Sequence, residues 1–244
     1  MKYRVVHDIK DHNRLQNNIS LKLWPEFMLH DPISNKYWSK LFQFFPKYQF
    51  SLINEEVIIG IGNCIPFYWD KSFSQLPEEG WDWVLEKGMR DYCKAIKPNV
   101  LNGLQIAVNK DYQGKGLSSC VLQEMKSLAK KNGMEYITIP VRPSLKSKYP
   151  LTQIEKYIKW KREDGLPFDP WLRVHIRQGG KIIKICHRAM HITGTVKEWE
   201  KWTNRKYSKS GDYPITGALI PIKINLQKDF GEYVEPNVWI LHRV

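Results

Sequence analysis

A chain of 244 residues, 42% hydrophobic, 26% charged and 13% aromatic, can bury one large core or two modest ones, and is neither collagen-like, coiled-coil nor disordered. It has no apolar run near the roughly 18 residues of a bilayer span. It shows no signal-peptide core after Met1-Lys2-Tyr3-Arg4, and Cys64, Cys93, Cys120 and Cys186 are too scattered for a disulfide framework or a zinc site. A cytoplasmic protein without metal or membrane contact is expected. The formal charge of +13 is concentrated in residues 121–210, with 20 Lys and Arg against 8 Asp and Glu, which is either a solvated basic face or a draw for nucleic acid, anionic lipid or a phosphate-bearing cofactor.

In chain order, weak alternation over Tyr3 to Ile9 predicts a first strand. Leu15, Ile19, Leu21, Leu23, Trp24, Phe27 and Met28 then recur at helical spacing, and a second helix is expected from Ser34 as N-cap through Phe45, ending at Pro46. Gln49 to Ile53 and Val57 to Ile65 read as a hairpin closed at Asn54-Glu55-Glu56. The second strand leads into Pro66-Phe67-Tyr68-Trp69-Asp70. Trp81, Val84, Leu85, Met89, Tyr92 and Cys93 form the stripe of a helix that Pro98 stops.

Organisation becomes specific in the middle of the chain. Leu104, Ile106 and Val108 alternate as a strand, and Gln113-Gly114-Lys115-Gly116-Leu117-Ser118-Ser119 follows. Leu117, Val121, Leu122, Met125, Leu128 and Ala129 share one helical face with Gly133 as the stop, and Tyr136 to Val141 is a second apolar strand. Strand, glycine turn, helix and strand make a βαβ unit whose strands run parallel or splay locally. The first turn of a helix leaves backbone N–H groups unpartnered at the positive end of its dipole, which suits a phosphate. Gly114 and Gly116 let those donors approach a pyrophosphate, while Gln113, Lys115, Ser118 and Ser119 can add their own; the alternative is a tight turn that glycine merely permits. A P-loop would need four residues between its glycines and a following Lys-Ser or Lys-Thr, and a dinucleotide fold a third glycine; neither pattern is present.

Gln113-Gly114-Lys115-Gly116-Leu117-Ser118 resembles motif A of the GNAT acetyltransferase superfamily, with Ser118 where the family prefers its smallest residues. The likeness is specific over residues 101–141 and looser elsewhere. It implies one α/β (α+β) domain over 1–244, with a mixed, twisted central sheet flanked by helices: an acceptor-side half (1–100), an acetyl-CoA-binding core (101–141) and an extended C-terminal part (142–244). It also implies an acetyl-CoA-dependent N-acetyltransferase in which an amine attacks the thioester directly. Backbone groups of Ile106 and Val108 would hold the pantetheine arm, and Gln113, Gly114, Lys115, Gly116, Leu117, Ser118 and Ser119 the pyrophosphate.

The C-terminal part is less regular. Asp169-Pro170-Trp171 to Gln178-Gly179-Gly180 reads as a short helix closed by glycine, and Lys181 to Ile192 as a long strand. Where the family places a tyrosine that protonates the departing thiolate, counting back from Gly179 reaches His175, with Tyr149 as second candidate; a core-edge histidine is the competing reading. The strand that often supplies a carboxylate base offers Asn102 and Gln105 instead, leaving Asp70 or an ordered water. Trp199 and Trp202, three apart, either anchor a short helix or line an acceptor pocket. The acceptor is expected to be a small-molecule or peptide amine, and a homodimer is left open. Against catalysis stand a CoA-binding sensor and a nucleic-acid module, the latter drawing on Lys156-Tyr157-Ile158-Lys159-Trp160-Lys161-Arg162, whose aromatics equally read as one buried helix face.

Overall fold

Alternating sequences in the first hundred residues build a run of antiparallel strands. The computed structural model, which describes residues 2–7, 16 and 23–244, places β1 (Arg4–His7), β2 (Gln49–Asn54), β3 (Val57–Phe67) and β4 (Val100–Val108) side by side in that order. The β2–β3 hairpin closes at Glu55-Glu56 as expected. β3 continues through Pro66 to Phe67, and β4 begins at Val100 rather than Leu104. The alternation is hard to follow there because the register slips: Asn63 faces Gln105 while Cys64 faces Gly103, so Leu104 is the extra residue of a bulge.

The second half completes the sheet. β5 (Tyr136–Val141) runs parallel to β4 only where Val100, Leu101 and Asn102 meet Tyr136, Ile137 and Thr138. Beyond Gly103 the two strands part, and the other edge of β5 pairs along its whole length with β9 (Phe230–Arg243). β9 in turn carries β6 (Lys181–Gly194) and β8 (Ile222–Asn225), and β7 (Gly211–Tyr213) pairs with β8.

Helices cover both faces. α1 (Pro32–Phe44) and α2 (Gly80–Cys93) lie on one, where Gly88 lets α2 approach Ile65 so closely that a Cβ would stand 2.5 Å from its side chain. α3 (Leu117–Lys131) lies on the other, against Gly60 and Gly103, and buries the six residues of its expected stripe. α1 starts earlier than Ser34: Asp31 is its cap, Oδ1 accepting from the Ser34 N–H at 2.6 Å, with Pro32 in the first turn where no N–H is needed. Of the helix expected over Leu15 to Leu29, the part at Leu15, Ile19 and Leu21 lies outside the described residues. Its remainder is a turn and a 3-10 helix, Glu26–His30, entered through Pro25. Among the described residues no helix is long and apolar enough to cross a membrane.

The C-terminal part adds α4 (Ile154–Tyr157), α5 (Pro170–Arg177) and α6 (Val196–Thr203). Asp169 caps α5 and Gly179, at φ +79°, closes it. α6 opens with a capping box between Thr195 and Glu198. Its Trp199 is wholly buried over Gly231, whose Cβ would stand 2.2 Å from the indole, and Trp202 stacks on His30 at 4.2 Å. Trp199→Ala is expected to lower stability by about 3–5 kcal/mol. Urea unfolding of the variant checks this, and a loss under 1 kcal/mol would show that α6 is not anchored through its indole.

Candidate active site

Because β4 and β5 part, one edge of β4 from Gly103 onward has no strand partner, and a cavity of about 1030 Å³ opens there. One wall is β4, with Leu104, Gln105, Ile106 and Val108; the opposite wall is β5, with Ile139, Val141 and Arg142 just beyond it. A peptide-like chain lying in the gap meets the free N–H and C=O groups of the β4 edge, a ladder half made.

At one end stands the glycine turn. Gln113, Gly114, Gly116, Leu117, Ser118 and Ser119 line the cavity. Gly116 is the N-cap of α3 at φ +77° and supplies no side-chain cap; the Ser119 N–H donates to the Gly116 carbonyl at 3.0 Å, which leaves the N–H groups of Leu117 and Ser118 to meet an anion. A Cβ on Gly114 or Gly116 would meet no protein atom within 4 Å, so both glycines face open space and keep it clear. The Gln113 amide does not reach outward; it donates to the Val108 carbonyl at 3.3 Å and ties the turn to β4. Lys115 is outside the wall, with its ammonium over the Tyr112 ring at 4.9 Å. Arg177 on α5 also lines the cavity, with Nη2 3.6 Å from Asp164 Oδ2.

The other end is closed by α1, α2, β6 and β9. Trp38 and Trp81 stack with ring centres 6.1 Å apart, and the Trp81 indole donates to the carbonyl of bulged Leu104 at 2.9 Å. Arg142 Nε donates to both oxygens of buried Glu235 at 3.0 and 2.9 Å, and Tyr233 donates its hydroxyl to the same carboxylate. Behind this wall Asp31 Oδ2 and Asp82 Oδ1 are buried with no donor from another residue, and the two carboxyls bond to each other. Burial, then the neighbouring Asp31, pushes Asp82 up to about 9, while burial raises Asp31 to about 6. Two carboxyls buried side by side cannot both ionise readily, so Asp82 is the one that keeps its proton.

The three residues put forward as catalytic are not in this wall. His175 is fully buried on the core side of α5, its Nδ1 2.9 Å from His242 Nε2, whereas Pro170, Trp171, Val174 and Arg177 of α5 and its C-cap Gln178 line the cavity. Helical periodicity is the reason: the four-residue count from Gly179 gives a position, not a face. Tyr149 stands edge-on to Trp160 at 5.0 Å in an aromatic cluster with Tyr157 and Phe168, and Asp70 is exposed in the loop after β3. The same cluster engages the aromatics of the basic run 156–162 with one another. No group of three or more His, Cys, Asp and Glu among the described residues is placed to hold a metal ion.

Residues 15–151 match the Acetyltransferase (GNAT) family. The chain belongs to that family. The arginine N-acetyltransferase avaD of Aspergillus versicolor is 32% identical over 250 residues, covering 91% of this chain and 86% of that protein. Among solved structures, the loading GNATL domain of CurA from Lyngbya majuscula superimposes with a TM-score of 0.64 at 20% identity, covering 100% of this chain and 98% of that one. The GphF GNAT-like decarboxylase in complex with isobutyryl-CoA gives 0.57 at 14% identity, with 98% of each chain covered. This GNAT protein is an acetyl-CoA-dependent N-acetyltransferase, and the mixed sheet with its flanking helices is the GNAT fold.

Two predictions follow from this geometry. In the GNAT chain Gly116→Val should strain a left-handed position and fill the phosphate approach, abolishing the stabilisation of about 2.7 kcal/mol that acetyl-CoA gives at a hundredfold its Kd. A thermal shift equal to that of the wild type would contradict the assignment. The buried histidines generate the second. Burial, then His242 and Lys126, holds His175 well below its usual range, and burial with Lys126 lowers His242 from 6.5 to about 4. Both are neutral when folded and protonate more readily when unfolded, so stability is full above about pH 6.5 and falls as pH drops toward 4. The His242 contribution alone is on the order of 3 kcal/mol. Urea midpoints of the wild type and His242→Gln across that window should diverge, the variant being the flatter.

Proposed function

We propose that the acceptor is a small cationic amine of the arginine type, entering at the end of the cavity closed by Trp38, Trp81 and Glu235 while the pyrophosphate of acetyl-CoA rests on the Gly114–Ser119 turn. The charge of that end is the observation that carries this reading. Three buried carboxyl groups, Glu235 in the wall and Asp31 and Asp82 behind it, stand at that end against the single guanidinium of Arg142, whereas the turn end has the α3 terminus and no carboxylate in its lining. Such polarity suits a ternary complex in which the phosphates of acetyl-CoA and the cationic acceptor lie at opposite ends of the cavity. It also runs against an acidic acceptor, which the basic block of residues 121–210 alone would have favoured. The relative from Aspergillus, named for arginine, supports the same class.

The backbone edge of β4 at Ile106 and Val108 pairs with the pantetheine arm and fixes the thioester beside the bulge. The amine lone pair attacks the thioester carbon, the carbonyl pair moves to oxygen and returns, and the C–S pair leaves with sulfur. The extra proton on nitrogen ends on the thiol, so amine and acetyl-CoA give N-acetylamine and CoA.

Thiol release should be fastest with L-arginine or agmatine. The comparison that tests the charge argument is L-citrulline, of similar shape without the cation, for which kcat/KM should fall at least about tenfold, as one lost charge interaction worth ~1.4 kcal/mol requires. Preference for L-glutamate over L-arginine would refute it.

A further inference from the structure

Gln105 is 7% exposed, belongs to the cavity wall and sits on β4 just past the point where β5 turns away. Neither end of its amide hydrogen-bonds to any described residue, and its Oε1 is enclosed without a donor. Buried amides are normally satisfied, and although Asn63 Oδ1 and Asn102 Oδ1 also lack a donor, the amide nitrogens of both residues are engaged and neither residue lines the cavity, as Gln105 does. Its cross-strand neighbour Asn63 donates to Gln49 Oε1 at 3.0 Å, and Gln49 donates to the carbonyls of Phe45 and Cys64 at 2.9 Å each. The nearby Trp81 indole is already spent on the Leu104 carbonyl. Among the described residues nothing pairs with Gln105, and the cavity it lines is where a partner can reach it.

Direction narrows the choice. Strand residues alternate between faces, and Gln105 shares a row with Asn63, one step from Ile106, which faces Gly62 on the α3 side. The Gln105 side chain therefore stands on the α1/α2 face, toward Trp38 and Trp81. The pantetheine amides are met in the plane of the sheet by the β4 backbone and leave this side chain unused. An amine attacking with its lone pair turns its N–H bonds away from the thioester carbon, and they need an acceptor on that face.

We propose that Gln105 receives an N–H of the attacking amine through Oε1 and aims its lone pair at the thioester. The hydrogen bond strengthens as nitrogen becomes positive, so it favours the transition state over the bound amine. A carboxamide takes no proton, so nitrogen keeps its proton until sulfur leaves with the electron pair and accepts it. The inference rests on N-acetyl transfer and not on the acceptor class proposed above.

The test uses the full chain with acetyl-CoA and two nucleophiles: L-arginine, and hydroxylamine as the smallest amine-type probe, read as acetohydroxamate above the uncatalysed rate. Gln105→Leu should lower kcat for both by roughly tenfold to a hundredfold, the range for a charge-assisted bond, with the acetyl-CoA Kd unchanged within about twofold. Gln105→Glu keeps the length and adds a proton acceptor, so it should retain turnover and shift the acid limb of the kcat profile to lower pH. A leucine variant with wild-type kcat, an equal loss of acetyl-CoA affinity, a loss confined to L-arginine, or an unshifted profile in the glutamate variant each overturns the assignment. So does a wild type that accelerates transfer to neither nucleophile. Turnover of hydroxylamine alone, sensitive to Gln105→Leu, supports Gln105 while removing the arginine-type acceptor.

Discussion

The parting of β4 from β5 after three residue pairs is the constraint on which the rest of the molecule depends. Two features force it. β5 is held along its whole length by β9, so it cannot follow β4, and the extra residue at Leu104 turns β4 away at the point where pairing ends. An unpaired strand edge inside a protein is costly unless another chain of donors and acceptors completes it. On the proposed assignment the pantetheine arm of acetyl-CoA would complete that edge, and the α3 terminus, which begins beyond the far end of β4, would meet its phosphates. Strand edge, bulge and helix start are thus one device.

The acceptor end is assembled from parts that lie far apart in the chain. Arg142 follows β5, Glu235 is on β9, and Asp31 and Asp82 precede and begin two different helices. Their contacts also pin the C-terminal extension. Arg142 Nη2 donates to the Gly217 carbonyl at 2.5 Å, the Leu219 N–H donates to the Tyr233 hydroxyl at 2.8 Å, and buried Lys146 donates to the Leu219 carbonyl at 2.6 Å. Burial pushes the Lys146 ammonium down to about 8. A buried ion pair adds little net stability over an apolar filling, but breaking one side of it is expensive. Such a network therefore fixes the position of the segment around residues 217–235, and with it the wall of the cavity, more than it fixes the strength of the fold.

Several elements were readable because their signals are local. The α3 stripe, the Gly133 stop, the Glu55-Glu56 hairpin and the Asp169 to Gly179 helix each depend on residues within about one turn or one ladder of each other. The bulge at Leu104 was not, since it exists only as a mismatch with β3. His175 shows the same boundary from the other side: its place in a helix was legible, its burial against His242, 67 residues away, was not.

The sequence by itself determined the βαβ unit with its glycine turn, and the resemblance of that turn to the GNAT motif implied acetyl-CoA, because helix-start N–H groups and the glycines beside them are properties of a short stretch of chain. Only the tertiary structure decided which side chains line the cavity. Gln105, Trp38, Trp81, Arg142 and Glu235 reach one cavity from five elements or their flanks, and the Asp31–Asp82 proton exists only once α1 and α2 meet. Charges summed along the chain place the positive excess in residues 121–210, yet Arg142, Glu235, Asp31 and Asp82 meet at one end of the cavity only through packing, and buried charges act through short distances and low dielectric rather than through their place in the sequence.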